Sequence, residues 1–291
     1  MKLIKNLGIV LMLVMAVSSC KKSDSPSGPV VPGSVTGYPK SFVISQPGQS
    51  TSFTFTYDGS NRVTQIKETN IDSSSPSSND SLIENYTYTG SSSWPSSASG
   101  TFLISSISLP FTDDYTYNSQ NKVIKDTVIL GGAYASNAEA VSYFTYPSGQ
   151  TNMAYQLTSN IEDSQFVYLD TLRFTGQNIT YFSQTSYTVA TDSTPTSTTN
   201  YTETLTTTNF LNPLANLNAF ALFIYNPTIF DNVPTILDVD LPLTKNETKN
   251  GNTLNAYSYA YSFDTKGRVL QVIATQTSDS GNSGYTETFS Y

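Results

Sequence analysis

Tyr57-Asp58-Gly59-Ser60-Asn61-Arg62-Val63 is the stretch that decides the fold. An Asp that bonds its own downstream backbone opens a turn. The Asn three residues later tolerates the left-handed conformation that closes a short hairpin loop. A base then stands at the turn exit, where it can neutralise the Asp, and Val63 restarts an extended run. The same frame returns as Tyr117-Asn118-Ser119-Gln120-Asn121-Lys122-Val123 and as Phe263-Asp264-Thr265-Lys266-Gly267-Arg268-Val269. A shorter copy, Phe174-Thr175-Gly176-Gln177-Asn178-Ile179, keeps the aromatic and the Asn and lacks the base. Each copy predicts a β-hairpin.

The runs entering these turns alternate. Phe53, Phe55 and Tyr57 share one face, as do Tyr257, Tyr259, Tyr261 and Phe263 with Ser258, Ala260 and Ser262 between them. Period two marks a strand with two distinct faces. Further strands are expected over 85–89, 142–146, 201–205 and 285–291. The anchoring aromatics 57, 117, 174 and 263 are 60, 57 and 89 residues apart. A unit of about sixty residues holds roughly four strands of ordinary length. The fold class expected is all-β: a large antiparallel meander of repeated hairpins, curved or barrel-like, with one short helical insertion. A four-bladed β-propeller is the alternative, since four units of four strands also fit its arithmetic.

The long last step holds the insertion. Asn212 can cap a helix, Pro213 suits its first turn, and Leu214, Leu217, Ala221 and Leu222 recur at helical spacing up to Asn226-Pro227. A helix is therefore expected over about 212–226. Ser-rich stretches at 73–81 and 91–99, the second carrying Trp94-Pro95, and a Thr/Ser-rich stretch at 190–200 read as exposed hairpin tips.

At the N-terminus Lys2 and Lys5 precede an apolar run over 7–17, too short for a spanning helix of about 20 residues. Ser18, Ser19 and Cys20 follow. This is the layout of an export signal, and Val17-Ser18-Ser19-Cys20 resembles a lipobox, in which cleavage precedes a diacylated cysteine. Cys20 is the sole cysteine, so no disulfide can form within the chain and lipidation is the role expected of it. Each buried CH₂ of an acyl chain contributes roughly 0.8 kcal/mol, and several chains together anchor stably. Residues 21–40 read as a tether with a reach of about 25 Å. The organisation expected is a signal peptide over 1–19, lipidated Cys20 with its tether over 20–40, and one β-rich domain over 41–291. Removing the signal takes away two lysines and no acids, deepening the formal charge from −8 to −10. Such a surface repels nucleic acid. The membrane is expected as a partner through the lipid, on an undetermined side of the outer membrane, with a glycan or an envelope protein as a further partner.

The chain has no histidine. Serine triads, Cys-His dyads and His-based metal sites therefore fall away. Gly131-Gly132 lacks the Lys-Ser or Lys-Thr of a phosphate loop. No cofactor is expected. Carboxylates could still serve a glycosidase, which needs two held about 5–9.5 Å apart. Asp113, Asp114, Glu162, Asp163, Asp238 and Asp240 are the candidates, each of which reads more readily as a solvated turn residue. Aromatic faces could bind a ligand: Trp94 at its Ser-rich tip, and the ladder Tyr257, Tyr259 and Tyr261, which reads more readily as cross-strand packing. The reading is a non-catalytic binding or accessory module of the cell envelope. A structural component of an envelope complex, working through exposed strand edges, is the alternative; a carboxylate hydrolase stands behind both.

The frame aromatic-Asp-x-x-Gly-Arg-Val resembles the YD repeat of RHS-type proteins. The fuller arrangement is similar to a family of Bacteroidetes lipoproteins with a large antiparallel, porin-like β fold: a lipobox, a Ser-rich β chain, a late Asn212-Pro213-Leu214 segment, a YD-like hairpin and a terminal aromatic strand. That family has no established activity and no catalytic residues to carry over. The resemblance implies a soluble or membrane-tethered meander. A true outer-membrane barrel would need lipid-facing apolar residues and aromatic girdles, and a lipid anchor would then be redundant.

Overall fold

All four hairpin copies form, and each has the same irregularity. The computed structural model describes residues 37–73, 80–104, 107–119, 121, 123–131, 139–146, 152–161, 164–175, 178–189, 195–214, 240–278 and 284–291. In it the ladder register slips at Thr56/Tyr57, Thr116/Tyr117, Arg173/Phe174 and Ser262/Phe263. Every anchoring aromatic thus sits at a bulge beside its turn, including Phe174 of the copy that lacks a base. A bulge bends and twists the strand locally.

The turn chemistry follows the sequence. Asp58 Oδ1 accepts from the N–H groups of Ser60 and Arg62 at 2.8 and 2.9 Å, and Asn61 takes a φ of 60°. Asp264 does the same for Lys266 and Arg268, with Gly267 at φ 76°. Each Arg pairs back to its Asp at 2.7 Å. Its guanidinium also lies over a tyrosine from the end of a later strand: Arg62 over Tyr88 at 4.4 Å and Arg268 over Tyr291 at 4.0 Å. The hydroxyls of Tyr88, Tyr146 and Tyr291 donate to the carbonyls of Val63, Val123 and Val269. The turn Arg is therefore the middle of an Asp–Arg–Tyr stack that ties a hairpin to the strand beyond it.

The strands fall into four consecutive groups of four. The first is β1 (Ser41–Gln46), β2 (Gln49–Tyr57), β3 (Val63–Asp72) and β4 (Ser81–Thr87). The second is β5 (Ser97–Ile104), β6 (Ile107–Tyr117), β7 (Val123–Leu130) and β8 (Glu139–Thr145). The third is β9 (Asn152–Ile161), β10 (Ser164–Thr175), β11 (Asn178–Val189) and β12 (Pro195–Leu211). The fourth is β13 (Asp240–Lys249), β14 (Asn252–Phe263), β15 (Val269–Gln276) and β16 (Tyr285–Ser290). The repeated turn joins the second and third strand of each group, so all four copies lie at one end of the ladder. Every strand pairs antiparallel with its chain neighbours, and β1 pairs with β16, as in Phe42 opposite Phe289.

The fold class read from the sequence is corrected by this pairing. All-β and antiparallel it is. But the curved or barrel-like meander carrying a helix, and the four-bladed propeller, both give way to one continuous ladder of sixteen strands whose ends meet. A propeller would break the hydrogen bonding between its blades; here β4 pairs with β5, β8 with β9 and β12 with β13. Of the helix expected over 212–226, the described residues show a single 3₁₀ turn at Pro213 and Leu214, where Asn212 Oδ1 accepts from the Leu214 N–H at 3.0 Å. Residues 215–239 lie outside the described ones. The physical reason is range. Turn chemistry and alternation act over a few residues, whereas closure depends on strands at opposite ends of the chain.

Alternation now gains a direction. Phe42, Phe53, Phe55, Ile66, Tyr115, Tyr259, Val272 and Phe289 form the inner, buried face. Ser50, Ser52, Thr54 and Thr56 on β2, Thr202, Thr204 and Thr206 on β12, and Thr286, Thr288 and Ser290 on β16 alternate with inward residues and point the other way. Exposed Ile83, Leu103, Ile129 and Ile273 are interspersed among such hydroxyl residues.

Candidate functional site

The inner face also carries charge. Glu203 on β12, Lys245 and Glu247 on β13 and Glu287 on β16 are all buried. Lys245 is 1% exposed and is the one buried cation among the described residues. Its Nζ lies 2.5 Å from Glu247 Oε1 and 3.9 Å from Glu203 Oε1. Tyr201 donates its hydroxyl to Glu203 Oε1 at 2.7 Å. Asn255 Nδ2 donates to Glu247 Oε2 at 2.7 Å, and Gln276 Nε2 donates to Asn255 Oδ1 at 2.7 Å. One polar chain therefore runs from β15 through β14 and β13 to β12.

Aromatics wall this chain in. The Tyr257 ring lies 5.1 Å from Lys245 Nζ. Tyr257 and Tyr259 both meet the Tyr285 ring edge-on, at 5.9 and 6.4 Å. Burial alone would lower the Lys245 pKa, but Glu203, Tyr259 and Glu247 outweigh it and raise it. The ammonium is held charged. Burial pushes Glu287 up to about 7, with Lys245 pulling the other way. A protonated, sealed lysine with both carboxylates already engaged has no lone pair for nucleophilic work. The arrangement positions four strands; it does not present a reactive atom.

The residues singled out in the sequence are dispersed. Tyr257, Tyr259 and Tyr261 do share a face, and it is the inner one. Tyr259 exchanges a hydrogen bond with Tyr285 at 3.2 Å, and Tyr261 donates to the Pro242 carbonyl. Trp94 stands elsewhere, half-buried in the link between β4 and β5, with its ring 6.3 Å from Tyr117. Arg62 Nη1 pins that link by donating to the Gly90 and Ser92 carbonyls at 3.1 and 2.9 Å. Cys20 lies outside the described residues. Of the candidate acids, Asp113 is buried while Asp114, next in the strand, faces outward, so the pair cannot share a cleft. Asp240 opens β13; Glu162, Asp163 and Asp238 lie outside the described residues. Among the described residues no group of three or more His, Cys, Asp or Glu could hold a metal ion.

Sequence reasoning passed over Glu84, Glu203 and Glu287, and it read Asp113 as a candidate carboxylate or a turn residue and not as a buried one, although a signal for all four exists. Leu82-x-Glu84-x-Tyr86, Phe111-x-Asp113-x-Tyr115, Tyr201-x-Glu203-x-Leu205 and Tyr285-x-Glu287-x-Phe289 each place an acid in phase with inward apolar or aromatic residues. In a strand that phase is a shared face.

No family model matches the chain, and no curated protein matches it. Solved structures do. A porin-like protein from Bacteroides vulgatus ATCC 8482 aligns with a TM-score of 0.53 at 10% identity, over 87% of this chain and 98% of that one. A porin-like protein from Bacteroides uniformis ATCC 8492 aligns with a TM-score of 0.46 at 13% identity, over 88% and 97%. At such identity the likeness concerns the fold: porin-like, antiparallel and all-β.

Proposed function

We propose that the chain is a non-catalytic binding or accessory module of the cell envelope, held on the outer membrane by lipid on Cys20 rather than by its strands. The observation that carries this reading is the polarity of the two faces. A membrane-spanning barrel is apolar outside and polar within. Here the outward residues of β2, β12 and β16 named above are Ser and Thr and the buried apolar cluster faces in, while outward apolar residues such as Ile83, Leu103, Ile129 and Ile273 stand among hydroxyl residues and form no continuous band. A hydroxyl-covered wall has no reason to enter hydrocarbon, so the lipid expected on Cys20 would supply the attachment. Closure also removes the free strand edges through which an assembly component would recruit a partner strand, which disfavours the structural alternative. A glycan, peptide or protein ligand would meet the barrel at its loops, and Trp94, on a link pinned by Arg62, is the contact proposed.

A protease recognition sequence inserted between residues 25 and 36 tests the attachment. Cleavage is expected to release the barrel from membranes, and Cys20→Ala to abolish incorporation of labelled palmitate. A barrel that stays membrane-bound after cleavage would mean that the strands themselves are embedded.

A further inference from the structure

A second set of buried acids lies apart from Lys245. Glu68 on β3, Glu84 on β4, Asp113 on β6 and Asp126 on β7 all face inward. Between them β5 contributes Ala98 and Gly100, neither of which titrates. Gly100 opposes Glu84 on one side and Phe111 on the other. A Cβ there would lie 2.1 Å from the Ile83 carbonyl oxygen, so the wall is drawn in tightly where the acids sit.

The titratable groups facing this seam are acids and phenols. Tyr86 donates to Glu84 Oε2 at 2.6 Å, and Tyr115 approaches Glu84 Oε1 at 3.4 Å. Asn70 donates to Glu68 at 2.9 Å. Tyr88 and Tyr117 stand towards the turn end, and Asp80 lies near Glu68. Lys67 on β3 and Lys125 on β7 have the opposite phase and point outward. As ionised groups, Asp113 Oδ1 and both oxygens of Asp126 would have no hydrogen-bond donor. Asp126 opposes Tyr115 across the β6–β7 pair, one step along the inner face from Asp113, and the Asp113 carboxyl adds to burial in raising it.

We propose that this seam is a pH-sensitive latch, which holds β3 to β7 together while its carboxyls are protonated and loosens them when they ionise. Burial raises all four acids, bringing Glu84 to about 8 and Asp126 well above the carboxylate range. Since the folded pKa values lie above the unfolded ones, the folded state holds the extra protons. The stabilisation is full below the ordinary carboxylate range and is lost as pH rises through about 8.

Hydrogen exchange on the full chain, corrected for intrinsic rates, reads the latch strand by strand. Between pH 6 and pH 9, protection in β4–β7 is expected to fall by about tenfold for each proton lost per pH unit, while β10 and β11, which carry none of these acids, keep theirs. Glu84→Gln is expected to flatten that response. An infrared band of protonated carboxyl at neutral pH, present in the unsubstituted chain and weakened in E84Q, reads the same protons without relying on stability. Equal loss of protection in all strands, an unchanged pH response in E84Q, or no protonated band at neutral pH would each overturn the latch.

Discussion

Lys245→Ala is expected to lower the unfolding free energy by about 3–5 kcal/mol, the cost of leaving buried charge without its partner. The substitution strands Glu203 and Glu247, which are 1% and 3% exposed. Tyr201 and Asn255 still donate to them, but no cation remains. The loss should be larger at pH 8 than at pH 5, because orphaned buried carboxylates escape the penalty by taking up protons. Replacing all three charges, as Lys245→Met with Glu203→Gln and Glu247→Gln, should recover much of the stability, since a buried triad exchanged for neutral groups of similar volume is often neutral or better. Urea unfolding followed through the single tryptophan, Trp94, measures each variant. A Lys245→Ala loss below about 1 kcal/mol would place the triad with exposed ion pairs.

Phe42→Ala is expected to cost a further class of stability, about 3–5 kcal/mol, through the cavity it leaves. Phe42 is 2% exposed and stacks on Phe53 of β2 at 5.5 Å and on Phe289 of β16 at 4.9 Å. It is thus the packing element of the seam where the first and last strands meet. Its loss should strip exchange protection from β1 and β16 before any other pair. Phe144→Ala on β8, also buried, should cost a comparable amount and leave the β1–β16 protection in place. Equal patterns in the two variants would mean that Phe42 has no special part in closure.

What the sequence exposes and what it hides divide by range. The hairpins were legible because Asp58, Asn61 and Arg62 settle their turn among themselves, and even the base-free copy at Phe174 keeps its bulge. The tyrosine ladder was half legible. Period two puts Tyr257, Tyr259 and Tyr261 on one face, but which face is inner depends on what lies across the barrel. The pairing of Lys245 with Glu203 was not legible. It rests on the β12–β13 register, which shifts at Thr206/Thr207 and spans the long insertion. Nor was the reach of Tyr88 to Arg62 and Val63, since it joins a turn to the end of the following strand. Closure was the hardest to see, because no local feature of Ser41–Gln46 or Tyr285–Ser290 names the other as its neighbour.

The closed ladder underlies the inward acids, the sealed lysine and the absence of free edges, so it is the claim to test first. Val43 and Thr288 are direct partners on β1 and β16 with outward side chains. Opposed antiparallel residues have Cα atoms about 4.5–5.5 Å apart, within the span of a disulfide. The double substitution Val43→Cys with Thr288→Cys, oxidised in the full chain and run on a non-reducing gel beside each single variant, is the measurement. A cross-link within the monomer, formed by the double variant alone, is the result the closed barrel requires. A double variant that stays uncrosslinked, or that links only between molecules, would contradict it.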